Sequence, residues 1–319
     1  MIFRRFRILR TLLPAVLLWL GACFVSYAQQ EPDYIHYYEL EPQFNPATVG
    51  KSSQLLINAG FQSHPMGVKQ GGSTLFTGAN TAFAVQKTRH GVGAYFQNDA
   101  IGLFTKQHFA IQYSYQFRLF GGTLNVGAEA EMLNEKVDGS KANLAEGNDL
   151  AFPSGEVSGS RFDAGVGVYY QRKNLYVGLS AIHLMAPTIN LGETYQMDVK
   201  RHYYLTGGYN IKLKNPFFKI APSCFVRYDG TDIRATITGR LCYEKEDKFI
   251  HGGVAYTPQR SVALIVGGRF HGVNLSYSYE AFTSGLGLER GQHEVTLGYS
   301  MDLDFGKKGR NLHKSVRWL

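Results

Sequence analysis

The chain of 319 residues is poor in charge and in cysteine: only 18% of it is Asp, Glu, Lys or Arg, and it has three Cys. No apolar run of 18 residues follows Ala28, which excludes a transmembrane helix from the body of the chain. It has no H-E-x-x-H, no paired His/Cys spacing of a metal site and no phosphate-binding loop with its lysine. Gly285-Leu286-Gly287 lacks a following helix, and no Ser–His pair can be assembled by spacing for nucleophilic catalysis. The reading is therefore of a non-enzyme, with no catalytic residue, metal ligand or cofactor indicated.

A net charge of +8 invites a nucleic-acid partner, but its distribution argues against one. Arg4, Arg5, Arg7 and Arg10 lie in the first ten residues. Lys307, Lys308, Arg310, Lys314 and Arg317 lie in the last fourteen, with no acid among them. Taking these four and five from the 33 basic residues leaves 24, against 25 acidic ones, so the body is neutral.

The basic start, the apolar stretch 11–24 and Ser26-Tyr27-Ala28 read as a secretory signal, residues 1–28, cleaved after Ala28. A competing reading takes Leu20-Gly21-Ala22-Cys23 as a lipobox, with Cys23 lipidated. Export would permit a disulfide between Cys224 and Cys242. A turn at Gly230-Thr231, however, pairs 224 with about 237 and 242 with about 219. The two thiols then fall on opposite faces, about five residues apart along the ladder, too far to bridge.

What the chain has in quantity is glycine (36), tyrosine (20) and phenylalanine (21), in alternating patterns of period two. Phe109, Ile111, Tyr113, Tyr115 and Phe117 point one way, and His108, Ala110, Gln112, Ser114 and Gln116 the other. Fourteen such segments are expected, roughly at 54–60, 75–87, 90–99, 107–118, 122–133, 161–172, 174–184, 201–212, 218–228, 232–243, 248–257, 260–270, 272–281 and 292–305. Most run about 10 to 13 residues, beyond the soluble norm of about 5–6 and enough for a tilted crossing of a bilayer core. The long gaps, 61–74, 134–160, 185–200 and 282–291, all follow odd-numbered segments, while the gaps after even-numbered ones are short. Such sorting is expected of an all-β, up-and-down antiparallel transmembrane β-barrel in a Gram-negative outer membrane. A soluble sandwich or lipocalin-like barrel shares the alternation but turns its apolar face inward, and alternation alone does not say which face is in.

This reading divides the chain into signal 1–28, a periplasmic N-terminal segment 29–53, a barrel 54–305 and a basic periplasmic tail 306–319. The polar face carries Glu129, Glu131, Asp163, Arg227, Arg234, Arg240, Glu280, Glu294 and Asp302. These suit either a selective aqueous lumen or a salt-bridged interior that fills a barrel. The tail, with its five cations and Trp318, is either a solvated end or a candidate docking peptide for a periplasmic partner.

Several segments carry a family resemblance: Tyr37-Tyr38 through Phe44-Asn45-Pro46-Ala47 to Gly50, HGVGAYFQNDAIGLFTKQHFAIQYSYQFRL (90–119), RFDAGVGVYY and LYVGLSAIHLMAP within 161–187, LSYSYE (275–280) and GQHEVTLGYS (291–300). Together they resemble the PorP/SprF family of type IX secretion system membrane proteins of Bacteroidetes, over about 29–305. The stretch Glu31 to Glu39 departs from the usual pattern. The resemblance implies an outer-membrane component of the secretion and gliding machinery. Its implied partners are membrane lipid, periplasmic ring and peptidoglycan-binding components, and a secreted adhesin-type client. Asn45, Pro46, Ala47 and Gly50 form the family motif at barrel entry, expected as a turn at the periplasmic rim. The alternative function, from a different class, is a porin-like or hydrophobic-solute channel.

Overall fold

The computed structural model describes residues 31–63, 71–86, 88–141, 155–192, 195–246, 248–284 and 291–303. The leader and the tail 306–319 lie outside the described residues. Fourteen antiparallel strands form one sheet: β1 Leu55–Ser63, β2 Ser73–Val85, β3 Thr88–Ile101, β4 Phe104–Leu119, β5 Gly122–Asp138, β6 Glu156–Arg172 and β7 Leu175–Ile182. Then follow β8 His202–Tyr209 with its short continuation Ile211–Lys212, β9 Phe218–Tyr228, β10 Ile233–Lys245, β11 Lys248–Thr257, β12 Ser261–Phe270, β13 Val273–Phe282 and β14 Gln292–Met301. Each pairs with its sequence neighbours, and β1 closes the sheet on β14 from Leu55↔Met301 to Ser63↔His293.

Which face is in is settled by exposure. On β4, Phe109, Ile111 and Tyr113 are 46–56% exposed, whereas His108, Ala110, Gln112 and Ser114 are buried. The same inversion recurs on every strand, so the apolar side chains form the outer surface. Water on that surface would be costly, and a bilayer core removes the cost.

Turn chemistry follows the strand parity. At the even-numbered exits, Phe120-Gly121 and His271-Gly272 both place two consecutive residues at positive φ (48° and 73°, 49° and 80°). That is the two-residue geometry whose twist matches the flanking strands, and the glycine takes the second left-handed position without a Cβ clash. The odd-numbered exits of β1, β5, β7 and β13 carry the long connections. By the usual asymmetry of such barrels, that end faces outward from the cell.

Three details depart from the expected pattern. β5 and β6 run 17 residues each, into the expected loop 134–160. The expected loop 185–200 contains a small hairpin, Thr188–Leu191 with Tyr195–Asp198, whose Ile189 and Leu191 bury against Leu133 and Val137 of β5. This contact removes apolar surface from water and explains why the extended strands stay paired. β8 is interrupted at Asn210, whose N–H donates to the carbonyl of Asn174 (2.9 Å), one step beyond the last ladder pair Tyr209↔Leu175.

A fourth departure is the largest. The segment expected in the periplasm ahead of the barrel lies inside it over residues 31–52. Glu31 and Asp33 sit near the long-loop end, and the chain descends the lumen through two 3-10 turns, Glu41–Gln43 and Pro46–Thr48, before β1. The core of the molecule is therefore the lumen. Tyr34, Tyr37, Leu40 and Phe44 of this plug cluster with the inward-facing Phe76, Tyr95, Tyr204 and Phe225 of the wall. Tyr37 stacks on Phe225 at 5.0 Å between ring centroids, and Phe44 sits 4.7 Å from the same ring. A plug with this much apolar surface gains more by burial against inward aromatics than by solvation below the barrel.

Candidate functional site: the plugged lumen

The lumen is a docking groove whose occupant belongs to the same chain. Its geometry begins with backbone clearance. On the inward faces of β3, β5 and β6 stand Gly91, Gly127 and Gly167. A Cβ at Gly91 would come within 2.3 Å of the Val49 oxygen, at Gly127 within 2.4 Å of the Ala47 nitrogen, and at Gly167 within 2.0 Å of Asn45 Oδ1. Only glycine lets the wall approach so closely.

Into that groove fits the Asn45-Pro46-Ala47 turn. Pro46 presets its own φ and pushes Asn45 to an extended conformation, observed at φ −148°. Asn45 Oδ1 accepts the Ala47 N–H (2.9 Å), while its Nδ2 donates to the Val168 carbonyl (3.0 Å). Asn125 Nδ2 donates to the Ala47 carbonyl (3.1 Å), Ser114 Oγ to that of Val49 (2.7 Å), and the Gly50 N–H to Asn80 Oδ1 (3.2 Å). The family motif thus lies on the lumenal side of the wall toward the periplasmic ends of the strands, bound to four of them. Below it, Lys51 pairs with Glu41 and sits 4.3 Å above the Tyr169 ring. Burial acts against its charge, but the Glu41 carboxylate holds its ammonium above the ordinary lysine range.

Further up, Glu294 is the socket for the middle of the plug. Its carboxylate accepts the backbone N–H of Ile35 (2.8 Å), the N–H of His36 (2.8 Å) and, on the same oxygen as the latter, His36 Nδ1 (2.6 Å). Glu39 reaches the wall through Ser276 Oγ (2.8 Å) and Thr296. Arg240 lies over the Tyr38 ring, 3.4 Å from its centroid.

Near the outer end, Asp33 meets three guanidiniums: Arg227 at 2.7 Å, Arg234 at 2.6 Å and Arg260 at 2.9 Å. Burial alone would raise its pKa. Arg227, then Arg234 and Arg260, overcome that and hold the carboxyl down at about 2. Glu31 approaches His183 Nε2 at 3.6 Å.

Of the inward charges expected from parity, four occupy these sockets. Arg227, Arg234, Arg240 and Glu294 contact the plug directly. Glu280 lies beside Arg260 and accepts from Ser261, Glu129 accepts from Gln112 (2.7 Å), and Glu131 and Asp163 face His183. Asp302 is exposed and accepts from Gln54 (2.9 Å) at the strand end. The tail cations and Trp318 lie outside the described residues. Cys224 and Cys242 are free thiols paired with Ile237 and Lys219, as the turn placement required.

Sequence reasoning missed Asp33, His36, Tyr37, Leu40, Lys51 and the wall glycines. One signal was available: Phe76, Tyr95, Tyr204 and Phe225 are large aromatics on the otherwise polar face of their strands, where an aqueous lumen offers them nothing.

A closed antiparallel sheet with an apolar exterior and a polar, chain-filled interior defines an outer-membrane β-barrel protein. Within that class the chain belongs to the family described as type IX secretion system membrane protein PorP/SprF, matched over residues 26–299. No curated protein matches it in sequence. Among solved structures it is similar to the CymD monoaromatic hydrocarbon channel, at 12% identity over 82% of this chain and 92% of that one, with a TM-score of 0.52. The toluene transporter TbuX of Ralstonia pickettii (9% identity, 81% and 92% covered, TM-score 0.49) and a FadL homologue of Pseudomonas aeruginosa (11%, 78% and 89%, 0.47) are more remote. At these identities the likeness is one of fold.

Proposed function

We propose that this protein is a non-catalytic outer-membrane component of the type IX secretion and gliding machinery. It supports export or surface retention of an adhesin-type client through protein–protein contacts. One observation carries the reading beyond family membership: the lumen is occupied by the chain's own plug, with Tyr34, Tyr37, Leu40 and Phe44 at most 2% exposed at its centre. A barrel sealed in this way offers other proteins its loops, its rims and its outer wall.

On this reading the signal is cleaved after Ala28, leaving Gln29 and Gln30 ahead of Glu31. The tail 306–319 follows β14 on the periplasmic side, where Lys307, Lys308, Arg310, Lys314, Arg317 and Trp318 would meet the acidic surface of a ring or peptidoglycan-binding component. Deleting 307–319 is expected to leave a heat-modifiable barrel, to lower recovery of periplasmic proteins in a cross-linked pull-down, and to lower the client at the cell surface. Unchanged recovery and unchanged client display would remove the tail from the proposal. A full deletion of the gene with normal client display would remove the function itself.

A channel for hydrophobic solutes is the second reading, and a cleft of about 570 Å³ on the outer face favours it, lined by Val166, Val168, Leu179, Tyr203, Leu205 and Tyr228. Beneath that cleft the strands stay in unbroken register through Val168↔Leu179, Leu179↔Leu205 and Leu205↔Val226. The cleft is a dent in the lipid-facing wall, which weighs against a lateral passage.

A further inference from the structure

At the outer end of the plug, two histidines from distant parts of the chain converge. His108 comes from the inward face of β4. His183 directly follows β7 with its backbone at φ 58°, in the left-handed region that non-glycine residues seldom adopt. They are 4% and 2% exposed, with ring centroids 5.6 Å apart.

Both imidazoles are oriented the same way. His108 Nδ1 lies 3.1 Å from Glu131 Oε1, and His183 Nδ1 lies 3.2 Å from Asp163 Oδ2 and 3.4 Å from Glu131 Oε2. A carboxylate at Nδ1 holds the proton there and leaves the Nε2 lone pair available. Histidines that bind a metal are held in this way, by a carboxylate on the nitrogen away from the ion.

The Glu31 carboxylate of the plug approaches both imidazoles. His183 Nε2 is 3.6 Å from Glu31 Oε1, and the donor atoms of His108, His183 and Glu31 all lie within 4.8 Å of one another. His108 Nε2 makes no hydrogen bond among the described residues. Its nearest carboxylate is Glu135, whose Oε1 stands 3.9 Å away and whose Oε2 is also unpartnered among the described residues. Glu31, His108, Glu131 and His183 border an enclosed void of about 10 Å³, room for one water-sized sphere.

We propose that His108 Nε2, His183 Nε2 and the Glu31 carboxylate form a binding site for one divalent transition-metal ion of the zinc type. The fourth position opens toward Glu135. Two imidazoles and a carboxylate select such an ion over magnesium or calcium, which take oxygen donors. At bond lengths of about 2.0–2.1 Å, neighbouring ligands of a tetrahedral ion stand about 3.4 Å apart, so the three groups need close by only roughly an ångström. Glu131 and Asp163 would orient the ligands from outside. The ion would tie the start of the plug to β4 and to the segment after β7, three parts of the barrel that no backbone ladder joins.

The test uses the full-length, untagged protein, stripped with a chelator and titrated with Zn2+ alone. One equivalent should bind per chain, and neither Mg2+ nor Ca2+ in excess should displace it. H108N and H183N should each weaken binding at least tenfold, and E131Q, which alters only the orienting carboxylate, about 10–100-fold. A Co2+-loaded chain should give the intense visible bands of a four-coordinate site. This measurement on the unaltered chain decides the matter if a variant fails to fold. Absence of stoichiometric Zn2+ binding, binding unchanged in the H108N/H183N double variant, or a Co2+ spectrum like that of the hydrated ion would each overturn the site.

Discussion

Glu294 shows how much of the plug's position depends on single wall residues. Four donors converge on one carboxylate that is 1% exposed, Gln62 Nε2 (3.2 Å) among them, and two of the four are backbone N–H groups with no ladder partner. Glu294→Ala leaves the Ile35 and His36 donors buried and unsatisfied, which costs about 3–5 kcal/mol, the range for removing one side of a buried charged contact. The expected result is a barrel that still migrates faster unheated than heated on a gel but is cleaved by chymotrypsin at Tyr37 or Tyr38. Resistance equal to that of the unaltered chain would show that the socket does not hold the plug.

Asp33 sets a pH limit of known sign. Its folded-state pKa is lowered to about 2 from an ordinary 3.8, so its contribution is complete above about pH 4 and is lost as pH falls toward 2. Hydrogen exchange at residues 33–40, corrected for intrinsic rate, should be constant from pH 7 to 4 and accelerate below that. In D33N the exchange should be faster throughout, without the acid step. Glu294 was legible in the sequence because it sits on an alternating strand, where parity alone places it inward. Asp33 was not, because a segment without periodicity gives no side to point to, and its three arginine partners are about 200 residues away in the chain.

At the scale of elements, the motif Asn45-Pro46-Ala47 and the glycines opposite it behave as one device. Gly167→Ala would put a methyl 2.0 Å from Asn45 Oδ1, against a neighbour held by its own hydrogen bonds. Overpacking of this kind costs about 1–3 kcal/mol. The variant should keep its barrel, since β5, β6 and β7 retain their ladders, while amide protection at Ala47 and Thr48 falls. Unaltered protection there would mean that the turn is not seated on the wall. The strands themselves were readable because their signal is local: a two-residue period needs no knowledge of distant contacts, and the parity of the gaps gave the orientation. The extended ends of β5 and β6 were not readable, since their order depends on Ile189 and Leu191 meeting Leu133 and Val137 from more than fifty residues away. The aromatic residues on the inner faces were visible but had no partner until the plug supplied one.

For the whole molecule, the inversion of exposure and the filling of the lumen are two sides of one arrangement. The outer face gives its apolar side chains to lipid, and the inner face gives its charges to the plug and to one another. Under the proposed role, such a barrel would anchor and position other proteins and carry no solute across the membrane. The most direct test is single-channel recording of the purified full-length protein in a planar bilayer at neutral pH. The account predicts no steady conductance from the unaltered chain. A steady ohmic current from it would mean that the lumen is open and would contradict the plugged barrel on which the proposed role depends.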